Sequence, residues 1–167
     1  MGMNIYNDQR VGVFVDVQNL YYSAKHMYSK KVNFNTILKE AVNNRKLIRA
    51  IAYVIQADEL KEKTFFDALS KIGFDVKAKD LQVFYGGMKK GDWDVGIAVD
   101  AIQMSEKLDV VVLLSGDGDY KPLVEYLKNA RGCRVEAMAF GKSTSRLLKE
   151  AVDEFIDLDD NPKKFLL

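Results

Sequence analysis

The sequence predicts an α/β fold: a three-layer sandwich with a mainly parallel central β-sheet flanked by helices. Three observations predict it. Short apolar, β-branched runs alternate with longer segments of helical periodicity. The run DVVVLL over 109–114 is apolar almost throughout, as expected of a central strand covered on both faces. Strands separated by helices imply right-handed crossovers between parallel neighbours.

The elements follow in order. Residues 11–16 (VGVFVD) read as a strand that ends on an acid, and 19–28 as a helix. Phe34–Val42 is a second helix, with Asn33 or Asn35 as its cap. Residues 49–55 (RAIAYVI) form another buried strand. Glu59–Ile72 is amphipathic through Leu60, Phe65, Leu69 and Ile72, and Gly73 closes it. Residues 74–79 and 81–85 alternate as strands, and 86–91 (GGMKKG) form a basic loop. A helix over 94–107 carries the apolar stripe Val95, Ala98, Val99 and Ile102. After 109–114 come a helix over 120–130, with Pro122 in its first turn, and the strand Arg134–Ala139. A helix over 143–152 and a short strand over 155–158 complete the pattern.

A chain of 167 residues, 48% hydrophobic, suits one domain with a sizeable core. The formal net charge of +1 advertises no global attraction to nucleic acid, so any basic surface must be local. A single cysteine, Cys133, excludes an internal disulfide and a multi-cysteine metal site, and fits a reducing cytoplasmic setting. The opening MGMNIYNDQR lacks the apolar stretch of a signal peptide. No run approaches the roughly 18 apolar residues of a membrane span.

The acids carry the functional signal. Asp16 ends the first strand, and the central strand runs out into Ser115-Gly116-Asp117-Gly118-Asp119. Ligands of open α/β sheets bind beyond the carboxyl ends of the strands, so both segments deliver acids to one rim. Asn19 lies about one helical turn past Asp16, and Asp94 opens a helix with Asp92 just before it. Carboxylates that converge without histidine or cysteine suit Mg²⁺ or Mn²⁺. Phosphoryl transfer to water is the chemistry that most needs such a site. Each segment also has a plainer reading, as a turn or a helix cap.

The segments FVDVQNL (14–20), KGDWDV (90–95) and LSGDGDY (114–120), in that order, resemble the signature segments of NYN domains, most closely the LabA-like group. The final LLKEAVDEF (147–155) is similar to that group's last helix and strand. The resemblance runs from about 11 to 158, leaving 1–10 as an N-terminal extension and 159–167 as a C-terminal tail. It implies a PIN-like fold and a metal-dependent ribonuclease, a hydrolase acting on RNA, single-stranded rather than duplex. Carried over position by position, the catalytic and metal-binding acids are Asp16, Asp94, Asp117 and Asp119, supported by Asn19, Asp100 and Ser115. The family spacing favours Asp94 over Asp92, and Asp100 is turned away from Asp94 along the helix.

Lys89 and Lys90, with Lys77 and Lys79, read either as a phosphate-gripping surface or as a solvated charged face. Trp93 is the aromatic placed to stack a base, ahead of Phe84 and Tyr85, one of which is expected in the core. Ser143, Thr144 and Ser145 read as a helix cap, or more sharply as an anion site. His26 reads as a surface or packing residue, Cys133 as a small buried hydrophobe, and Tyr21-Tyr22 as packing or a partner surface. A homodimer suits a compact domain of this kind. A non-catalytic RNA- or nucleotide-binding module on the same fold is the alternative. A haloacid-dehalogenase-like phosphatase is disfavoured because Gln18 stands where a second aspartate is needed. A dinucleotide-binding protein is disfavoured because no G-x-G-x-x-G follows the first strand.

Overall fold

The computed structural model describes residues 7–56, 59–83, 85–86, 89–90 and 92–167, with backbone alone for 59–61, 82–83 and 89–90. The elements run β1 (Arg10–Asp16), α1 (Val17–Tyr28), α2 (Phe34–Val42), β2 (Lys46–Gln56), α3 (Glu59–Ile72), β3 (Asp75–Asp80), β4 (Gln82–Val83) and β5 (Lys89–Lys90). Then follow α4 (Asp94–Met104), β6 (Val110–Leu114), α5 (Lys121–Asn129), β7 (Arg134–Ala139), α6 (Arg146–Ala151), β8 (Glu154–Asp157) and α7 (Pro162–Phe165).

Six strands form one sheet in the order β3-β2-β1-β6-β7-β8, and every pairing is parallel. β1 and β6 lie at its centre, and β6 is buried from end to end. The chain builds outward from β1 to β3 on one side and from β6 to β8 on the other. The reversal therefore falls between β1 and β6, and the crevice beyond their carboxyl ends is where such sheets bind ligands.

Side chains alternate across the sheet into two cores. Val13, Val15, Val112 and Leu114 face α1, α2, α3 and α7. Phe14, Val111 and Leu113 face α4, α5 and α6. The three layers expected from the sequence are thus present. Among the described residues no helix is long and apolar enough to cross a membrane.

Most element ends have local causes. α1 starts at Val17, earlier than read, because the Asp16 carboxylate accepts the backbone N–H of Asn19 at 3.3 Å and caps it. Asn33 caps α2 in the same way through the N–H of Thr36, at 3.2 Å. Gly73, at φ 127°, ends α3 in a conformation that L side chains rarely adopt. Of the α3 stripe, Leu69 is buried, while Phe65 stays exposed and Leu60 lies outside the described side chains. β4 pairs antiparallel with β5 as a separate ribbon instead of joining the main sheet. Tyr85 is fully exposed, and Phe84 lies outside the described residues. The chain after β8 folds back: Phe165 and Leu166 are buried, and Leu166 bridges to Val32.

The expected face of α4 is corrected in part by the structure. Ile97 and Ala101 are its buried residues, Ala98 and Ile102 of the expected stripe pack partly buried against the same core, and Val95 and Val99 are exposed. Trp93 sets the phase. Its indole N–H donates to the carbonyl of Val54 at 2.8 Å, and its ring lies where a Cβ on Gly96 would come within 2.5 Å. That contact rotates Val95 and Val99 away from the core, although their spacing is helical.

Candidate active site

Asp16 leaves β1 on the crevice side and stays half-buried at the mouth of α1. Besides the N–H of Asn19, its carboxylate accepts the hydroxyl of Ser115 at 3.3 Å, and the Tyr120 hydroxyl oxygen lies 3.4 Å away. Burial pushes its pKa up to about 6, and the charges of Asp94 and Asp117 add to the effect against these hydrogen bonds.

The loop after β6 brings the next acids. Asp117 caps a turn of 3-10 helix, accepting the N–H of Asp119 at 2.9 Å. Its own N–H donates to Ser115 Oγ at 3.2 Å, so Ser115 links Asp117 to Asp16. Asn19 Oδ1 accepts the N–H of Gly116 at 3.0 Å, tying α1 to the same loop. Asp94 arrives from the opposite layer, in the first turn of α4. Burial foremost, then the charge of Asp117, raises the Asp94 carboxyl above its ordinary range.

Asp94, Asp117 and Asp119 each bring one carboxylate oxygen within 4.8 Å of the others. Asp16 lies one hydrogen bond away, through the Tyr120 hydroxyl that also contacts Asp94 at 3.1 Å. The donor set is oxygen only, and the mutual repulsion of its carboxylates is what a hard divalent cation relieves. The residues present fit such an ion.

Three features were not legible in the sequence. Tyr120 is buried beneath the acids, and burial, with Asp16 next, keeps its hydroxyl protonated. It can donate to only one carboxylate at a time, and the contact to Asp94 is the shorter. The second feature is the strand-to-helix lead at 141–145, which braces the acid loop instead of capping α6. Ser145 donates its N–H to the carbonyl of Gly116 at 2.9 Å and makes no side-chain cap, while Thr144 Oγ1 donates to the carbonyl of Phe140. A Cβ on Gly116 would meet Thr144 Oγ1 at 2.7 Å, and one on Gly118 would meet Ser145 Oγ at 2.6 Å. Both glycines are therefore needed for close approach.

The third is a network at the edge of the site. Asp100 accepts the Tyr53 hydroxyl at 2.8 Å and pairs with Lys77 at 2.7 Å, apart from the three clustered acids. Tyr53 packs on Trp93, with ring centroids 5.2 Å apart. The indole expected to stack a base is half-buried, donates its N–H to the carbonyl of Val54 and has the Lys79 ammonium 4.7 Å from its ring centroid. Asp92 accepts the N–H of Asp94 at 3.2 Å and serves the helix start. The side chains of Lys89 and Lys90, the expected phosphate grip, lie outside the described residues, as do Gly87, Met88 and Gly91. His26 is exposed, and Cys133 is buried with its thiol toward the carbonyls of Ser105 and Leu108.

The comparisons with known proteins agree with this architecture. The chain is 27% identical to the Low amplitude and bright protein LabA of Synechococcus elongatus, over 93% of this chain and 87% of that protein. It is 34% identical to a protein of unknown function from Vibrio parahaemolyticus whose crystal structure superposes with a TM-score of 0.88, covering both chains completely. The pattern of the NYN domain matches residues 10–159. With the acids of β1, α4 and the β6 loop converging on one crevice of a PIN-like nuclease fold, the chain belongs to the NYN domain family.

Proposed function

We propose that this protein is a Mg²⁺- or Mn²⁺-dependent nuclease that hydrolyses phosphodiester bonds of single-stranded RNA in the cytoplasm. The observation that carries the reading is the approach of Asp94, Asp117 and Asp119 within 4.8 Å at the crevice where strand order reverses. Family membership supports it, since NYN domains are generally nucleases acting on RNA.

In this reading Asp94, Asp117 and Asp119 hold the cation, with Asp16 as the fourth carboxylate. A bound divalent cation supplies Lewis acidity, screening phosphate charge and making water more acidic. The chain's own residues do the rest. Ser115, Asn19 and Tyr120 hold the carboxylates in place before substrate arrives, so little reorganisation is needed during reaction. Water adds to phosphorus, a carboxylate of the cluster takes its proton, and the bond to the leaving sugar oxygen breaks as a proton is returned to that oxygen.

The test is cleavage of single-stranded RNA and DNA with Mg²⁺ or Mn²⁺, beside Asp117→Asn. The reading expects metal-dependent cleavage of RNA that falls by about a hundredfold or more in the variant. RNA binding without cleavage in either metal, equal in Asp117→Asn, replaces it with a non-catalytic binding module.

A further inference from the structure

We propose that the exposed face of α1 is a track for single-stranded nucleic acid leading into the carboxylate site, with a base-stacking pocket first and a lysine grip beyond it. The inference rests on the nuclease reading for its direction, because α1 begins at the residue after Asp16.

α1 buries Val17, Leu20 and Ala24. Its outer face carries Gln18, Tyr21, Tyr22, Lys25 and His26, which recur at helical spacing. Tyr21 and Tyr22 are 44% and 48% exposed, with ring centroids 5.9 Å apart. Such large exposed rings, adjacent and unburied, call for a function. His26 stacks on Tyr22 at 6.1 Å with planes 18° apart, so the platform extends along the helix.

A cavity of about 520 Å³ opens between α1 and α3. Gln18, Tyr21 and Tyr22 form one wall, and Glu62, Phe65 and Phe66 the other. Its size is within the range of small-ligand sites, about 300–1,000 Å³. Two of its lining residues link it to the elements that carry the acids. Val17, on its wall, follows Asp16, and Val54 accepts the indole N–H of Trp93, the residue before Asp94.

A second, more open cavity of about 740 Å³ shares Tyr21 and continues past the helix end. It is lined by Lys25, His26, Ser29, Lys30, Lys31 and Leu167, and among the described residues no aspartate or glutamate lines it. Lys25 Nζ also sits 5.8 Å from the centroid of the Tyr21 ring. Carboxylates, stacking faces and cations therefore follow one another along a helix whose 12 residues span about 18 Å.

That order matches one occupant. Single-stranded nucleic acid offers a free base face for the pocket and phosphates for the lysines, and its backbone continues to the cation site. In a duplex the bases stay stacked and paired, and none enters the pocket without being extruded. A protein segment has no regular negative charge for the lysines to follow.

The experiment uses the full chain carrying Asp117→Asn with Mg²⁺ present, a labelled single-stranded RNA of about a dozen nucleotides, and the matching duplex. Fluorescence anisotropy reads affinity against salt. Tyr22→Ala should weaken single-strand binding by about 5- to 100-fold, as expected for one lost stack, and Tyr22→Phe should retain it. Replacing Lys25, Lys30 and Lys31 together by alanine should flatten the log–log salt slope by about two. All four positions are exposed, and thermal denaturation checks that each variant is folded. Binding and salt slope unchanged in both variants, or duplex bound as tightly as single strand, overturns the track. If the chain without Asp117→Asn cleaves RNA while the track variants bind normally, the track fails and the nuclease reading stands. Binding that depends on Tyr22 and the lysines, without cleavage by any form of the chain, supports the track and removes the nuclease reading.

Discussion

The hydroxyl of Tyr120 lies 3.1 Å from a carboxylate oxygen of Asp94. The same hydroxyl lies 3.4 Å from Asp16, so one buried phenol joins the acid of β1 to the acid of α4. Tyr120 belongs to neither element, and among the described residues no carboxylate of the cluster is held by a cationic side chain.

Tyr120→Phe keeps the ring and removes that shared donor. Stability should fall by about 1–3 kcal/mol, the typical cost of leaving buried acceptors short of a partner. Cation affinity should fall about tenfold or more, as when a residue behind a metal ligand is lost. Urea denaturation and Mn²⁺ titration measure the two, and unchanged cation affinity would separate Tyr120 from the site.

Asparagine at Asp94, Asp117 or Asp119 removes one of three charges that repel one another. Each variant should melt higher than wild type without metal and gain less from added Mg²⁺. The order follows because three like charges held within 4.8 Å of one another destabilise the metal-free fold. Melting curves with and without Mg²⁺ check it. A metal-free wild type more stable than all three variants would contradict the repulsion.

Asp16 adds a pH dependence with a defined sign. Its folded pKa, about 6, is above the ordinary 3.8, so the folded state binds the proton more tightly than the unfolded state. Its contribution is fully present below the unfolded value and is lost as pH rises through about 6. Metal-free wild type should therefore lose stability relative to Asp16→Asn between about pH 4 and pH 6. Cation binding should strengthen as pH rises through the same window, because the ion displaces a proton. Parallel stability curves for the two proteins would refute the assignment.

Away from the site, Arg45 and Glu136 form a buried pair at 2.8 Å, with side chains 6% and 4% exposed. Arg134 also bonds Glu136, at 2.8 Å. Burial pushes the Glu136 carboxyl up, but the hydrogen bonds from Arg45 and Arg134 outweigh it and leave it below the ordinary 4.5. The stability it contributes is present above that value and is lost as pH falls through the depressed one. Glu136→Ala should cost about 3–5 kcal/mol, since it strands a buried guanidinium. Chemical denaturation reads the loss, and a cost under about 1 kcal/mol would show that Arg45 finds another partner.

The sequence by itself determined the alternation of strands and helices, the centrality of 109–114, and the acids at strand ends. Each is a local property: apolar runs mark buried strands, and a polar residue at the end of a run marks an edge. Asp16 and Asp117 were legible for that reason, and the ordered segments around them pointed to the family. The tertiary structure decided what depends on contacts distant in sequence. Trp93 bonding to Val54 set which face of α4 is buried, so the stripe of Val95 and Val99 misled. The lead into α6 became a brace because Gly116 and Gly118 admit Thr144 and Ser145 closely. Tyr120 looked like the start of a helix until the β6 loop turned it under Asp16 and Asp94. Tyr21 and Tyr22 line a cavity only because α3 stands opposite them, and Tyr21 shares a second one with the lysines after α1. Periodicity reports which residues share a face, but only packing decides what that face meets.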